Sequence, residues 1–202
     1  MNTIEQIETK RGYHFTADTL RNGDPIPQIG EWISVSGPII PCKSGLHMSE
    51  HPFDALQYAP GCMLHRVDVR GNLQPHGSPC DKWVGRERMI IATIDATDIL
   101  RAFARFCALF VAHLWDCPDI VRTYLETGDE SIRASAWASA SASARDSASA
   151  SAWASARAAS AWAASAWASA RDWDSADSAD SAAKRERFQS IVDEAFEKEL
   201  SK

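Results

Sequence analysis

Between Ala134 and Ala183 the sequence contains no glycine, proline, valine, isoleucine, leucine or threonine. Without bulky aliphatics this stretch cannot build an ordinary apolar core. Without glycine it lacks the residues that tight turns usually need, and without β-branched residues it lacks the side chains that strands favour. The rest of the chain is short of positive charge. Residues 1–132 carry 17 acidic against 12 basic residues, and the whole chain has a formal net charge of −6. That balance argues against a nucleic-acid partner, which calls for a basic patch, and against an anionic membrane surface. Long apolar runs are missing too: the longest, Ile99–Trp115, is broken by Arg101, Arg105 and His113 and is too short and too charged to cross a bilayer. Five cysteines form an odd set without regular spacing, unlike a secreted disulfide framework, and Met1–Lys10 is polar and acidic rather than a secretory leader. A cytoplasmic protein is expected. No P-loop, nucleophile elbow, HExxH or dinucleotide fingerprint occurs.

In place of aliphatics the tract has small residues and tryptophan. Of the 50 residues from Ala134 to Ala183, 37 are Ala or Ser, and five of the eight tryptophans lie there. Up to Ala158 the even positions are Ala, with Asp146 the exception, and Trp137, Arg145 and Trp153 fall eight apart. A period of two suggests strands, and an octad suits one rung of a small β-solenoid. Propensity points the other way, since Ala is the best helix former and Ser is only slightly worse. A helical repeat over 133–183 is expected, with the solenoid as the alternative and disorder a third possibility. The tryptophans would then serve as packing knobs between alanine faces, and the acidic run Asp172–Asp180 as a solvated face. Repeats of this kind usually present surfaces to partners.

Ahead of the tract, strands are expected at Tyr13–Thr16, Glu31–Ser36, Met63–Val69 and Arg88–Ile94, where apolar and polar residues alternate or aromatic and isoleucine-rich runs occur. Pro52 suits a helix start before Phe53–Ala59. Asp98–Trp115 carries an apolar stripe at helical spacing, expected to lie on the preceding sheet, and Asp119–Glu126 is a second helix closed by Thr127-Gly128. Strands followed by helices predict an α+β domain over 1–132. Its expected core is Phe15, Trp32, Ile33, Val35, Leu46, Phe53, Leu56, Val67, Val69, Ile90, Ile91, Ile94, Phe103, Phe106 and Phe110. Residues 184–202 close the chain with an amphipathic helix, Arg187–Leu200.

The densest local motif is Pro41–Ala59, PCKSGLHMSEHPFDALQYA. Its pattern, C-x-x-G-L-H, then Pro, then A-x-x-Y, resembles a domain of unknown function found in phage and prophage proteins. Members of that family often carry a small α+β domain followed by Ser/Ala-rich repeats, and the likeness runs from Tyr13 to about Ile91. More distantly, Gly45–Tyr58 is similar to the G-[IL]-Y-F-[AS] segment and following helix of ADP-ribosyltransferases, although His47 stands where that fold usually has Tyr. The resemblance implies that His14 in YHFT grips a nicotinamide ribose. It implies that His47 stacks on the nicotinamide and that Glu87 in RERMIIA supplies the catalytic carboxylate.

Read from the residues, Gly45, Leu46, His47, Ser49 and Tyr58 form a ligand-binding element. Gly45 permits a close backbone approach, and the N–H groups of the helix begun by Pro52 face an anion. The resemblance to ADP-ribosyltransferases further implies that His14 lies in the same cleft, with Glu87 at or near its rim. Cys42, His47, His51, Cys62, His65, His76 and Cys80 offer metal-ligand pairs, but their spacing matches no familiar zinc finger and no metal is expected. The expected function is a phage-encoded accessory protein in the host cytoplasm. It binds a host factor or a small nucleotide-like ligand and self-associates through the repeat, with no cofactor. The alternative is an NAD-dependent ADP-ribosyltransferase using His14, His47 and Glu87.

Overall fold

A computed structural model describes residues 8–146 and 178–201. They form an α+β protein divided into two compact units, one of Met1–Ala96 with Arg185–Lys202 and one of Thr97–Lys184. The expected boundary at 132 falls inside the second unit, and most of the closing helix belongs with the first. Among the described residues no helix is long and apolar enough to cross a membrane.

The first unit is built on an antiparallel sheet of β1 (Thr9–Thr16), β4 (Met63–Arg70), β7 (Glu87–Asp95) and β2 (Trp32–Ser34), in the order β1-β4-β7-β2. The long alternating runs supply its centre. His14 lies opposite His65, His65 opposite Thr93, and Val69 opposite Arg88, while the register slips between Arg66 and Val67. Side chains directly opposite each other share a face, so His14, His65, Val67, Val69, Ile90 and Arg88 point to one side and Tyr13, Arg66, Arg70 and Glu87 to the other. A second antiparallel sheet joins β3 (Leu46–Met48), β6 (Lys82–Gly85) and β5 (Gln74–His76). Its Met48 is buried against Val67, Val69 and Ile90 of the first sheet.

The remaining face of the first sheet takes the end of the chain. Helix α5 (Ser178–Leu200), the fifth helix among the described residues, buries Phe188, Val192 and Phe196 completely. Phe188 meets Phe53 edge-on at 6.4 Å, and Phe196 lies 6.1 Å from Tyr13. Asp193 ties this helix to the sheet. It accepts from the Tyr13 hydroxyl at 2.8 Å and from Arg66 at 3.0 Å, and Arg185 forks onto Asp54. The short helix α1 (Pro52–Leu56) is buried along its whole length. Of the expected core in this unit, Trp32, Ile33, Val35, Leu46 and Ile91 are only half-buried. The first three belong to the edge strand β2 or follow it, where one flank has no neighbouring strand.

The second unit contains α2 (Thr97–Val111), a 3-10 turn (Ala112–Leu114), α3 (Asp119–Thr127) and α4 (Arg133–Asp146). Gly128 ends α3 in the left-handed conformation at φ 69°, the expected stop. Phe106 and Phe110 are half-buried in an aromatic run, with ring centroids of Phe103–Phe106 at 6.3 Å and Phe106–Phe110 at 5.5 Å. The core of this unit is Ala108, Ala112, Cys117, Val121, Tyr124 and Leu125 with Ala136 and Ala140 of α4. The described ends of the tract, 134–146 and 178–183, are therefore helical, and among the described residues the tract contains no strand. Trp137 corrects the expected division of labour, because it is 55% exposed while Ala136 and Ala140 are buried. Alanine lets α4 pack closely and the tryptophan faces outward. Trp153, Trp162, Trp167 and Trp173, the slip at Ala158 and the expected self-association surface lie outside the described residues.

Candidate functional site

The C-x-x-G-L-H spacing closes a loop. Cys42 sits at its tip at φ 64°, a left-handed conformation uncommon outside glycine, and its amide N–H donates to His47 Nε2 at 3.3 Å. Gly45, at φ 122°, turns the chain into β3 at a point where a Cβ would strike the Val84 side chain. The strand then crosses over β1. Tyr13 and Ser49 exchange backbone hydrogen bonds of 2.8 and 3.0 Å, and the approach is so close that a Cβ on Gly12 would collide with Met48 Sδ and the Ser49 carbonyl. Gly12 therefore brings β3 down onto the face of the sheet that carries His14. Gly12 and Gly45 do the work that sequence reasoning gave to Gly45 alone.

His14 and His47 share one electrostatic neighbourhood. Burial pushes the His14 imidazole well below its ordinary range, and positive charge on Arg88, His65, His47 and Arg21 adds to the effect. His47 is lowered to about 4, chiefly by burial, then by Lys82 and Arg88, with Arg21 and His76 also contributing. Both rings are thus neutral at physiological pH. Because Nε2 of His47 accepts the Cys42 amide, its proton resides on Nδ1.

Arg88 lies among these rings. It is 4% exposed, and its Nη1 donates to the His47 carbonyl at 3.0 Å. Its Nε has no hydrogen-bond partner, and no carboxylate among the described residues forms an ion pair with it. Burial alone lowers it to about 10. In the sequence Arg88 sits in a charged run, Arg86-Glu87-Arg88, which reads as a solvated strand end. The missed signal was parity: Arg88 shares the side of Ile90, two residues on, and that side is the core.

The other expected residues take varied positions. Tyr58 donates its hydroxyl to Asp81, lies 3.8 Å beneath the Lys82 ammonium, and accepts from Arg21 at its carbonyl oxygen at 2.7 Å. Burial, then Asp81, raises the phenol. Ser49 is buried, and Leu46 is half-buried opposite Gly85. The N-terminus of α1 does not offer its amides to a ligand, because the helix is five residues long and the Phe53 N–H donates to His51 Nδ1 at 3.1 Å. Glu87 is not brought to His14 and His47. Its carboxylate binds Arg70 on the opposite face of the sheet, where Arg70 also lies 3.9 Å over the Trp32 ring. His65 is a packed core residue, fully buried between the hydroxyls of Thr16 and Thr93 at 2.8 Å each. Among the described residues no group of three or more His, Cys, Asp or Glu is placed to hold a metal ion.

Residues 10–102 match a family model described as a domain of unknown function, DUF7666. That span contains every residue of the site, from His14 to Arg88, and ends within α2. No curated protein and no solved structure matches the chain.

Proposed function

We propose that the first unit is a binding domain for a small nucleotide-like anion, held between β1, β3 and β7. The observation that carries this reading is Arg88, a buried guanidinium with an orphaned Nε and no carboxylate partner among the described residues. A charge taken out of water without a counter-ion costs several kcal/mol, and a phosphate group supplies the missing anion with two acceptor oxygens in guanidinium geometry. The neutral imidazoles of His14 and His47 beside it each carry one N–H and one ring acceptor, suited to ribose hydroxyls. Arg21, exposed and acting on both histidines, adds positive charge at the rim.

Calorimetry on the full chain with NAD⁺, ADP-ribose and ADP tests the reading. Binding in about the micromolar range is expected, lost in Arg88→Met and retained in Glu87→Gln, without release of nicotinamide from NAD⁺. Absence of binding by all three ligands, or full binding by Arg88→Met, overturns it. Nicotinamide release abolished by Glu87→Gln would instead establish a transferase, with Glu87 reaching the ligand from a position different from the one it occupies here.

A further inference from the structure

Lys82 is the second buried cation of the first unit without a carboxylate. It is 6% exposed and lies on β6, and no Asp or Glu among the described residues forms an ion pair with it. Among the described residues its ammonium reaches Cys42 Sγ, at 3.2 Å, and lies over the face of the Tyr58 ring. The Cys42 sulfur meets a second nitrogen, His76 Nε2, at 3.3 Å. The cysteine itself is exposed, so its sulfur joins a buried ammonium to solvent. Its backbone is fixed in an uncommon conformation at φ 64° by the hydrogen bond from its amide to His47. Such a cost is maintained where a side chain must be aimed.

We propose that Cys42 is a nucleophilic thiol that undergoes thiol–disulfide exchange with small anionic disulfides. The nucleophile in such chemistry is the thiolate, which a neighbouring ammonium favours. Lys82 supplies that charge at 3.2 Å from the sulfur, and His76 Nε2, at the end of β5, meets the sulfur at 3.3 Å. In the exchange the Cys42 sulfur attacks one sulfur of the disulfide and a new S–S bond forms as the old one breaks. The other half leaves as a thiolate that takes a proton from water. The incoming disulfide is the oxidant, Cys42 is oxidised and the departing sulfur is reduced. An anionic disulfide is preferred because the Lys82 ammonium adjoins the reacting atom, with Lys43 exposed next in sequence. This site does not depend on the Arg88 reading, since neither Arg88 nor His14 touches the sulfur.

The chain contains its own control. Cys80 is also exposed, but among the described residues its sulfur hydrogen-bonds to the Lys82 carbonyl oxygen, at 3.4 Å, which contributes no positive charge. The full-length protein is treated with glutathione disulfide and, separately, with the uncharged cystamine analogue bis(2-hydroxyethyl) disulfide, and mixed disulfides are mapped by peptide mass spectrometry against time. Cys42 is expected to react at least about ten-fold faster than Cys80 with glutathione disulfide, and the margin narrows with the uncharged reagent. Lys82→Gln lowers the Cys42 rate toward that of Cys80, and Lys82→Arg restores it. His76→Gln, at the half-buried end of β5, gives a smaller loss and serves if Lys82→Gln does not fold. Equal rates at Cys42 and Cys80 in the wild-type chain overturn the proposal, as does a Cys42 rate indifferent to Lys82→Gln in folded protein.

Discussion

At the scale of single residues, the described part of the first unit places Arg88 and Lys82 in its interior, and no described carboxylate forms an ion pair with either. Truncating a buried cation that has no counter-ion removes a desolvation cost instead of breaking an ion pair. Arg88→Met is therefore expected to melt at the same temperature as the wild type or a few degrees higher, on the scale of ~1 kcal/mol, while losing the ligand. A fall of more than about 5 °C would show that Arg88 holds the fold together. The histidines make a separate prediction. His65 is fully buried, and its ring is lowered from 6.5 to about 4 by burial, then by Arg88; His14 and His47 shift the same way. A histidine held neutral stabilises the fold fully above its unfolded value, and that contribution is lost as pH falls from about 6.5 toward 4, because the unfolded chain then binds more protons. For His65 alone the loss reaches about 3 kcal/mol at pH 4. Denaturant midpoints measured from pH 7 to 4 should fall steadily, and less steeply in His65→Gln, whose amide still reaches Thr16 and Thr93. A flat profile would mean that the ring takes up its proton in the fold as readily as in the unfolded chain.

At the scale of elements, legibility follows length and pattern. β4 and β7, eight and nine residues of alternating side chains, were readable almost to their ends. β3, β5 and β6 were not, since each has three or four residues, β5 carries Pro75 at its centre and β6 ends on Gly85. β3 is admitted by Gly12, against which Met48 and Ser49 pack, and by Gly45 beside Val84, which is a tertiary cause. The expected pairing of His14 with His47 rested on a family resemblance. Arg88 and Lys82, the residues that give their surroundings a charge, were hidden because a buried cation and a solvated one read alike in sequence. The tract shows the reverse case. Its helical character at residues 134–146 followed from alanine propensity, yet the packing role went to alanine rather than tryptophan. Accordingly, Trp137→Ala should change stability by less than about 0.5 kcal/mol. Ala140→Leu, forced into the α3–α4 contact, should cost roughly 1–3 kcal/mol. Thermal melts of the two variants decide the matter, and equal losses would contradict the outward orientation of Trp137.

At the scale of the whole molecule, α5 completes a core begun more than a hundred residues earlier. Phe188, Val192 and Phe196 are each fully buried, and Asp193 joins Tyr13 and Arg66. Burial of a side chain of this size is worth about 1.5–3 kcal/mol, so the three together match a large part of a domain's usual 5–15 kcal/mol. A chain stopped after Lys184 is expected to lose its cooperative melt and become protease-sensitive within β1 and β4. A truncated protein melting within a few degrees of full length would show that α5 is dispensable.

The first unit is discontinuous in sequence: it leaves off at Ala96 and resumes at Arg185. The second unit is thus a nested insertion, entered and left through the same host. An insertion of this kind can change in length without disturbing the register of any host strand. It also imposes an order on biosynthesis. The sheet emerges from the ribosome early, but its Tyr13–Phe196 face stays uncovered until the tract has been translated and the closing helix follows. During that interval the nascent host depends on whatever else covers its apolar face, and a longer tract prolongs the wait.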